Sequence, residues 1–228
     1  MQTVNGQIAE RVLLRGMRLS MISSSIGMLW FVVTSGMPLT MFMECIHAKG
    51  PLIGLVMAVQ TFAMVAQVPG AYLGEMLKTR KRFWGIVALI HRAVWFIPPL
   101  VLLFVTQDAV TLGIVTVWVS LLSAVFCHAS ASTWWSWMTD LIPENSRGAF
   151  WGRRQSLVSC AIVVATIGAG YLLDVFPDPR HPGGSFRGYI LLFGLAAIFG
   201  CADIITHLWV PEPAQQPARN EAGFWQRL

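Results

Sequence analysis

Residues 109–139 read AVTLGIVTVWVSLLSAVFCHASASTWWSWMT, a stretch without a single Asp, Glu, Lys or Arg. A helix needs about 20 residues to cross the roughly 30 Å hydrocarbon layer of a bilayer, so this stretch is more than long enough. We therefore expect it to cross a membrane as one helix. Its most polar part, CHASAST at 127–133, is the best candidate for lining a water-filled path.

The rest of the chain has the same apolar character. Of its 228 residues, 55% are hydrophobic and 12% are charged, and the mean hydropathy is +0.61. Soluble domains carry about 25% charged residues. The sequence therefore predicts an all-α polytopic membrane protein whose six transmembrane helices form one bundle. The predicted spans are about residues 19–43, 51–75, 83–106, 110–138, 156–176 and 188–210.

Basic residues are distributed unevenly between the two sides of this predicted bundle. Twelve Lys and Arg fall on the side of the two termini, and three fall on the other side. Because cytoplasmic loops are enriched in Lys and Arg, we expect cytoplasmic termini in a bacterial plasma (inner) membrane. Residues 1–18 would form a cytoplasmic amphipathic helix on the membrane surface, and residues 211–228 a cytoplasmic linker that is cut short. The net charge of +5 then reflects topology, so we expect no nucleic-acid partner.

Two cytoplasmic loops combine an acidic residue with clustered basic residues. Charges that pair at the membrane edge can form and break ion pairs as helices move. The alternative is that these residues only set the topology. The residues concerned are Glu75, Arg80, Lys81, Asp140, Arg147, Arg153 and Arg154.

These loops resemble conserved segments of the major facilitator superfamily. The loop GAYLGEMLKTRKR at 70–82 resembles the signature between helices 2 and 3, with Glu75 where the family has Asp. The segment DLIPENSRGAFWGRR at 140–154 is similar to the Asp-x-x-Pro…Arg-Gly element between helices 4 and 5.

The resemblance implies transport of a small solute by alternating access, with the substrate held between two six-helix bundles. This chain would be the first bundle. The second would lie in the same longer chain or in a second copy. The resemblance further implies that the charged loop residues form a cytoplasmic gate that holds the two bundles together when the carrier faces outward.

One arginine and one aspartate interrupt the predicted spans. Arg92 and Asp203 lie at similar depth from the cytoplasmic side, about 13 Å and 10 Å in. An unpaired arginine at such depth costs at least about 2.5–3.5 kcal/mol, which favours a buried Arg92–Asp203 pair with an architectural role. A role in substrate or proton coupling and snorkelling of Arg92 to the interface are the alternatives. His91 would be a packed, hydrogen-bonded histidine.

The resemblance also implies that the first, second, fourth and fifth helices line the substrate path. Polar and aromatic side chains on these helices are the candidates, although each could instead join helices within the bundle. They are Trp30, Ser35, Gln60, Gln67, His128, Ser132 and Trp134.

Two other classes compete with a carrier. A membrane-embedded enzyme is disfavoured because no GxSxG, HExxH or paired-carboxylate motif is present. A non-transporting six-helix scaffold or assembly factor remains the alternative. The four cysteines have no metal-ligand spacing, so we expect no metal, no disulfide and no cofactor.

Overall fold

The computed structural model describes residues 3–4, 7–8, 10–77 and 79–213, without the side chains of residues 3–4, 7–8 and Glu75. The regular secondary structure of the described residues is helical except for the short strands Thr3–Val4 and Gln7–Ile8, which pair antiparallel. Six helical segments are long and apolar enough to cross a membrane, which confirms the predicted all-α six-span bundle. Spans 1 to 6 are Glu10–Cys45, Gly50–Gly74, Arg80–Phe104, Ala109–Leu141, Glu144–Val175 and Arg187–His207.

Glycine and proline divide the first three spans into shorter helices. In span 3 the break is a 3-10 turn at Val94–Phe96, because Pro98 and Pro99 cannot donate backbone hydrogen bonds to the preceding turn. The helices of spans 1 to 3 are Glu10–Ile26, Met28–Ser35, Met37–Cys45, Gly50–Phe62, Gln67–Met76, Arg80–Ala93 and Ile97–Phe104, with a second 3-10 turn at Ala63–Ala66. Spans 4 to 6 contain the helices Ala109–Leu141, Arg147–Val175 and Arg187–His207, and a 3-10 turn at Glu144–Ser146.

Two predicted boundaries differ from the structure. The segment 1–18 is not a separate amphipathic helix: the helix begins at Glu10 and continues into span 1. The long helix of span 5 begins at Arg147 instead of near residue 156, so Arg153 and Arg154 are helical. Of the predicted linker, residues 214–228 lie outside the described residues.

The spans pack in the spatial order 2-4-3-6-1-5. Span 4 packs between spans 2 and 3, span 6 packs between spans 3 and 1, and span 5 packs on span 1. If spans 1, 2 and 3 exchange numbers with spans 4, 5 and 6, the order becomes 5-1-6-3-4-2, which is the original order read backwards. Spans 1 and 4, 2 and 5, and 3 and 6 are therefore equivalent. Because equivalent spans run in opposite directions, the packing has the form of an inverted repeat. Spans 2 and 5, at the two ends of this arrangement, are the least buried, at 17% of their apolar windows.

Two apolar clusters fill the bundle. The cluster farther from the termini is centred on Phe42, which packs edge-on against Tyr189 and Phe193 at 5.1 and 5.2 Å between ring centroids. The cluster nearer the termini contains Trp84 and Trp137. We call the two ends of the bundle the distal end and the terminal end. The polar interior lies at the junction of these clusters.

Candidate functional site

A buried ion pair joins spans 3 and 6. Arg92 Nη2 donates to Asp203 Oδ2 at 2.9 Å, and the two side chains are 13% and 9% exposed. The guanidinium carbon of Arg92 also lies 3.9 Å from the ring centroid of Trp30 on span 1. The pair predicted from the sequence is therefore formed. Arg92 does not snorkel to the interface.

Two glycines make room for this pair. A Cβ at Gly27 on span 1 would overlap the carboxylate of Asp203. A Cβ at Gly200 on span 6 would lie 2.8 Å from Trp30 and 3.0 Å from Arg92. Spans 1 and 6 can therefore approach closely only because these two positions carry no side chain.

His207 lies one turn from Asp203 and is held by two partners. Trp134 Nε1 donates to its Nε2 at 3.0 Å, and Ser23 Oγ lies 2.8 Å from its Nδ1. Because an indole N–H can only donate, Nε2 carries no proton and the imidazole is neutral. Nδ1–H then donates to Ser23, whose hydroxyl donates to the carbonyl of Ser20.

His91 is packed and hydrogen-bonded, as predicted. Its Nδ1 donates to the carbonyl of Ser123 at 2.8 Å, and its ring meets Trp30 edge-on at 4.5 Å between centroids. Ser123 Oγ also accepts from Trp95 Nε1 at 3.0 Å. These contacts fix the imidazole between spans 1, 3 and 4.

Arg154 is a second arginine in the interior. Its Nε donates to Ser24 Oγ at 3.1 Å, and its guanidinium carbon lies 5.0 Å from the Trp134 ring and 5.5 Å from the Trp151 ring. Two turns of helix separate it from the start of the span 5 helix at Arg147. The sequence analysis placed Arg154 in the cytoplasmic gate. The structure instead places it inside the bundle, because the helix starts earlier than predicted.

His91 and Cys127 each line two cavities in the interior of the described bundle. The distal cavity, about 210 Å³, is lined by Trp30, Phe31, Thr34, Ser35, Gln60, His91, Trp95, Ser120, Ser123, Ala124, Cys127 and His128. The terminal cavity, about 230 Å³, is lined by Ser24, Met28, Trp84, Ala88, His91, Arg92, Cys127, Ser130, Ala131, Trp134, Trp135, Arg154, Asp203, Ile204 and His207.

The distal cavity contains polar atoms without a partner. Trp30 Nε1 and Ser120 Oγ are buried and have no hydrogen-bond partner among the described residues. Both side chains line the cavity. Buried polar groups are normally satisfied, so these atoms favour a cavity that holds water or a polar solute.

The structure brings together most of the predicted path residues. The distal cavity is lined by Trp30, Ser35, Gln60 and His128, and the terminal cavity by Trp134. The other two predicted residues line neither cavity. Gln67 Nε2 lies 3.1 Å from Nδ1 of His128, and Ser132 Oγ is buried without a partner in the described part of the chain.

The charged loop residues join parts of this one bundle. Arg80 Nη1 donates to Asp140 Oδ2 at 2.6 Å, which connects spans 3 and 4, and Arg80 Nε lies 3.9 Å from Glu212. Lys81 Nζ donates to the carbonyl of Val210 at 3.0 Å, so the segment after span 6 is held against span 3.

The remaining gate residues are not brought together. Arg147 donates to the carbonyls of Thr139 and Ile142 at the end of span 4, and Arg153 is exposed. Glu75 lies in the helix Gln67–Met76, and its side chain lies outside the described residues.

The sequence analysis missed His207 and the position of Arg154. His207 follows Asp203 by four residues, so both share one helix face, and this spacing was the available signal. For Arg154, no sequence signal separated an interior arginine from its exposed neighbour Arg153. Within the described ranges, no three His, Cys, Asp or Glu side chains form a metal-ligand cluster.

Fold and site together define a six-span integral membrane protein with a charged, polar interior. The chain matches no family model, no curated protein and no solved structure in the comparisons made.

Proposed function

We propose that this chain is one half of a secondary carrier of the major facilitator type, which moves a small solute across the membrane by alternating access. The observation that carries the proposal is the pair of cavities, one toward each end of the bundle, which contain polar side chains and share His91 and Cys127. A carrier needs a route that is open to one side at a time. A small displacement of the side chains around His91 and Cys127 would change which of the two cavities is open to the centre of the bundle.

The packing order supports a partner for this half. Spans 2 and 5 lie at the two ends of the arrangement and are the least buried. A second six-helix half, in the same longer chain or in a second copy, would cover them and close the solute path. In the complete carrier, the cytoplasmic gate would form around the Arg80–Asp140 pair of this half.

The orientation belongs to the proposal as well. With six spans, the start of span 1 and the end of span 6 lie on the same side. The excess of Lys and Arg on that side favours the cytoplasm of a bacterium. The substrate would be taken from or released to the cytoplasm through the terminal cavity.

The competing proposal is a six-helix scaffold without transport. A scaffold needs no polar interior that solvent reaches from both sides. Cavity access therefore separates the two functions even before a substrate is known.

Cysteine accessibility tests this distinction. In the full chain with Cys45, Cys127, Cys160 and Cys201 replaced by Ser, one variant carries Ser35→Cys in the distal cavity and another carries Met28→Cys in the terminal cavity. The membrane-impermeant reagent trimethylammonioethyl methanethiosulfonate is applied to each side of reconstituted vesicles. We expect Ser35→Cys to react from the distal side and Met28→Cys from the terminal side.

Solute flux completes the experiment. Vesicles are exposed in separate arms to labelled amino acids, sugars and organic acids. A transported solute should change the reaction rates at the two cysteines in opposite directions. Lack of reaction at both sites, together with no flux in any arm, would favour the scaffold.

A further inference from the structure

We infer that the terminal cavity binds a small solute with one carboxylate group and an aromatic or apolar body, and that Arg154 binds the carboxylate. This inference rests on the proposed function, since it names the substrate class of the same interior. It starts from the observation that Arg154 is the one cavity arginine, among the described residues, without an acidic partner within 4.0 Å.

The hydrogen bonds of Arg154 leave its two terminal NH₂ groups available. Its Nε donates to Ser24 Oγ, whose own proton goes to the carbonyl of Ser20 at 2.7 Å. Neither Nη1 nor Nη2 of Arg154 has a hydrogen-bond acceptor among the described residues. These two groups form the planar fork that binds a carboxylate through two parallel hydrogen bonds.

The position of Arg154 is also fixed. Trp134 on span 4 and Trp151 on its own helix contact the guanidinium, and Trp134 is itself held by its hydrogen bond to His207. A guanidinium held by Ser24 and by two rings loses little freedom when a ligand binds. The site is therefore organised before the solute arrives.

The charges of the cavity favour a single negative charge on the solute. Arg92 and Asp203 neutralise each other, and His207 is neutral because its Nε2 accepts from Trp134. His91 is buried beside Arg92, where a second unpaired cation would be costly. The remaining positive charge of Arg154 is balanced by one carboxylate, whereas a dianion would leave an uncompensated charge.

The walls of the cavity favour a ring or another apolar body. Trp84, Trp134 and Trp135 line it together with Met28 and Ile204. A cavity of about 150 Å³ holds benzene, so about 230 Å³ leaves room for a ring and its carboxylate. The distal cavity is lined by no Asp, Glu, Lys or Arg, which places the anion in the terminal cavity.

The test uses benzoate as the carboxylate probe and benzamide as its neutral counterpart. The full chain is placed in phosphatidylcholine nanodiscs, and binding of labelled probe is measured by equilibrium dialysis. We expect wild type to bind benzoate and to bind benzamide about 10- to 100-fold more weakly, because charge-assisted hydrogen bonds are lost.

Neighbouring arginines supply matched variants. Arg154→Gln should weaken benzoate binding about 10- to 100-fold and leave benzamide binding unchanged. Arg153→Gln, at the exposed neighbouring position, should bind benzoate as wild type does. If Arg154→Gln does not fold, Arg154→Lys keeps the charge without the planar fork and should bind benzoate with intermediate affinity.

In the binding measurements, the inference would be overturned by equal benzoate binding by wild type and Arg154→Gln, by equal binding of benzamide and benzoate, or by displacement of benzoate by phosphatidylglycerol added to the nanodiscs. The last would identify a lipid phosphate as the anion that Arg154 binds. Benzoate binding without flux of any organic acid would contradict only the proposed carrier function and would leave the carboxylate site supported. Flux of an uncharged solute that Arg154→Gln leaves intact would contradict only the carboxylate site.

Discussion

Arg92 and Asp203 form their 2.9 Å ion pair at the centre of the packing order, between the equivalent spans 3 and 6, which pack directly against each other. Trp30 covers the guanidinium, and Gly27 leaves the space that the carboxylate occupies. Spans 1, 3 and 6 therefore all pack around this one ion pair. Span 4 joins them through His91, whose ring bonds to Ser123.

Removing one partner of this pair should destabilise the bundle strongly. Arg92→Met leaves the carboxylate of Asp203 buried without its cation, and we expect a loss of about 3–5 kcal/mol in unfolding free energy. The double variant Arg92→Met/Asp203→Asn removes both charges and should recover a large part of that loss. Unfolding of the purified protein in mixed detergent micelles measures both. Equal stability of the single and double variants would contradict an architectural pair.

Close packing of spans 2 and 4 gives a second prediction. A Cβ at Gly70 would overlap the backbone of Ala129, whereas a Cβ at Gly168 would meet nothing within 4 Å. Gly70→Ala should cost about 1–3 kcal/mol, because a main chain must move to accept the methyl group. Gly168→Ala should be neutral or slightly stabilising, since alanine favours helix. Equal unfolding temperatures for these two variants would be evidence against the packing of spans 2 and 4 described here.

Much of the fold could be predicted from local sequence. Apolar stretches with no charge, or with one isolated charge, revealed all six spans. The packing order could not be predicted. Spans 1 to 3 share no residue-level repeat with spans 4 to 6, and their equivalence is visible only in which helices pack together.

The candidate site was only partly predictable, because the sequence reveals isolated charges in apolar stretches but not clustered or neutral polar residues. Arg92 and Asp203 were visible as isolated charges at matching depth in apolar stretches. Arg154 was not visible in this way. It belongs to a cluster with Arg147 and Arg153, and because the predicted span 5 starts only after these charges, at about residue 156, all three were placed outside the membrane. Only the helix that begins at Arg147 separates them, since it carries Arg154 into the interior while Arg153 stays exposed. His207 carries no charge and so escaped a search based on charge.

The membrane-edge ion pairs differ in expected strength, which gives a third prediction. Asp140 accepts from the buried Arg80 at 2.6 Å, whereas Glu144 lies 3.7 Å from Arg147 and is 88% exposed. Asp140→Asn should lower stability by about 1–2 kcal/mol, after allowance for the partial exposure of its side chain. Glu144→Gln should change stability by less than about 0.5 kcal/mol. Thermal unfolding of both variants at low and moderate salt tests this ranking, and a larger effect of Glu144→Gln would reverse it.

The loop after span 5 gives a pH-dependent prediction. Asp178 accepts from the Arg180 side chain, with 2.6 Å between Nη2 and Oδ2, and from the Arg180 backbone N–H at 3.0 Å. These hydrogen bonds, with a further one donated by His181 Nδ1, hold the pKa of Asp178 below its ordinary value of 3.8 against the opposing effect of burial. Because the folded state has the lower pKa, the ionised carboxylate stabilises the fold above pH 3.8. This contribution is lost as the pH falls through the folded value.

Asp178→Asn should therefore lower the unfolding temperature at pH 6 and converge with wild type as the pH falls through the lowered pKa of Asp178 in the folded state. With Arg180 one-third exposed, we expect a loss of about 1 kcal/mol, or roughly 2–4 °C. Asp174→Asn, at an exposed position close by, should follow the wild-type curve at every pH. Unfolding temperatures measured in detergent between pH 6 and pH 3 provide the comparison. A constant difference between wild type and Asp178→Asn across this range would show that the Asp178 carboxylate does not act through its ionised form.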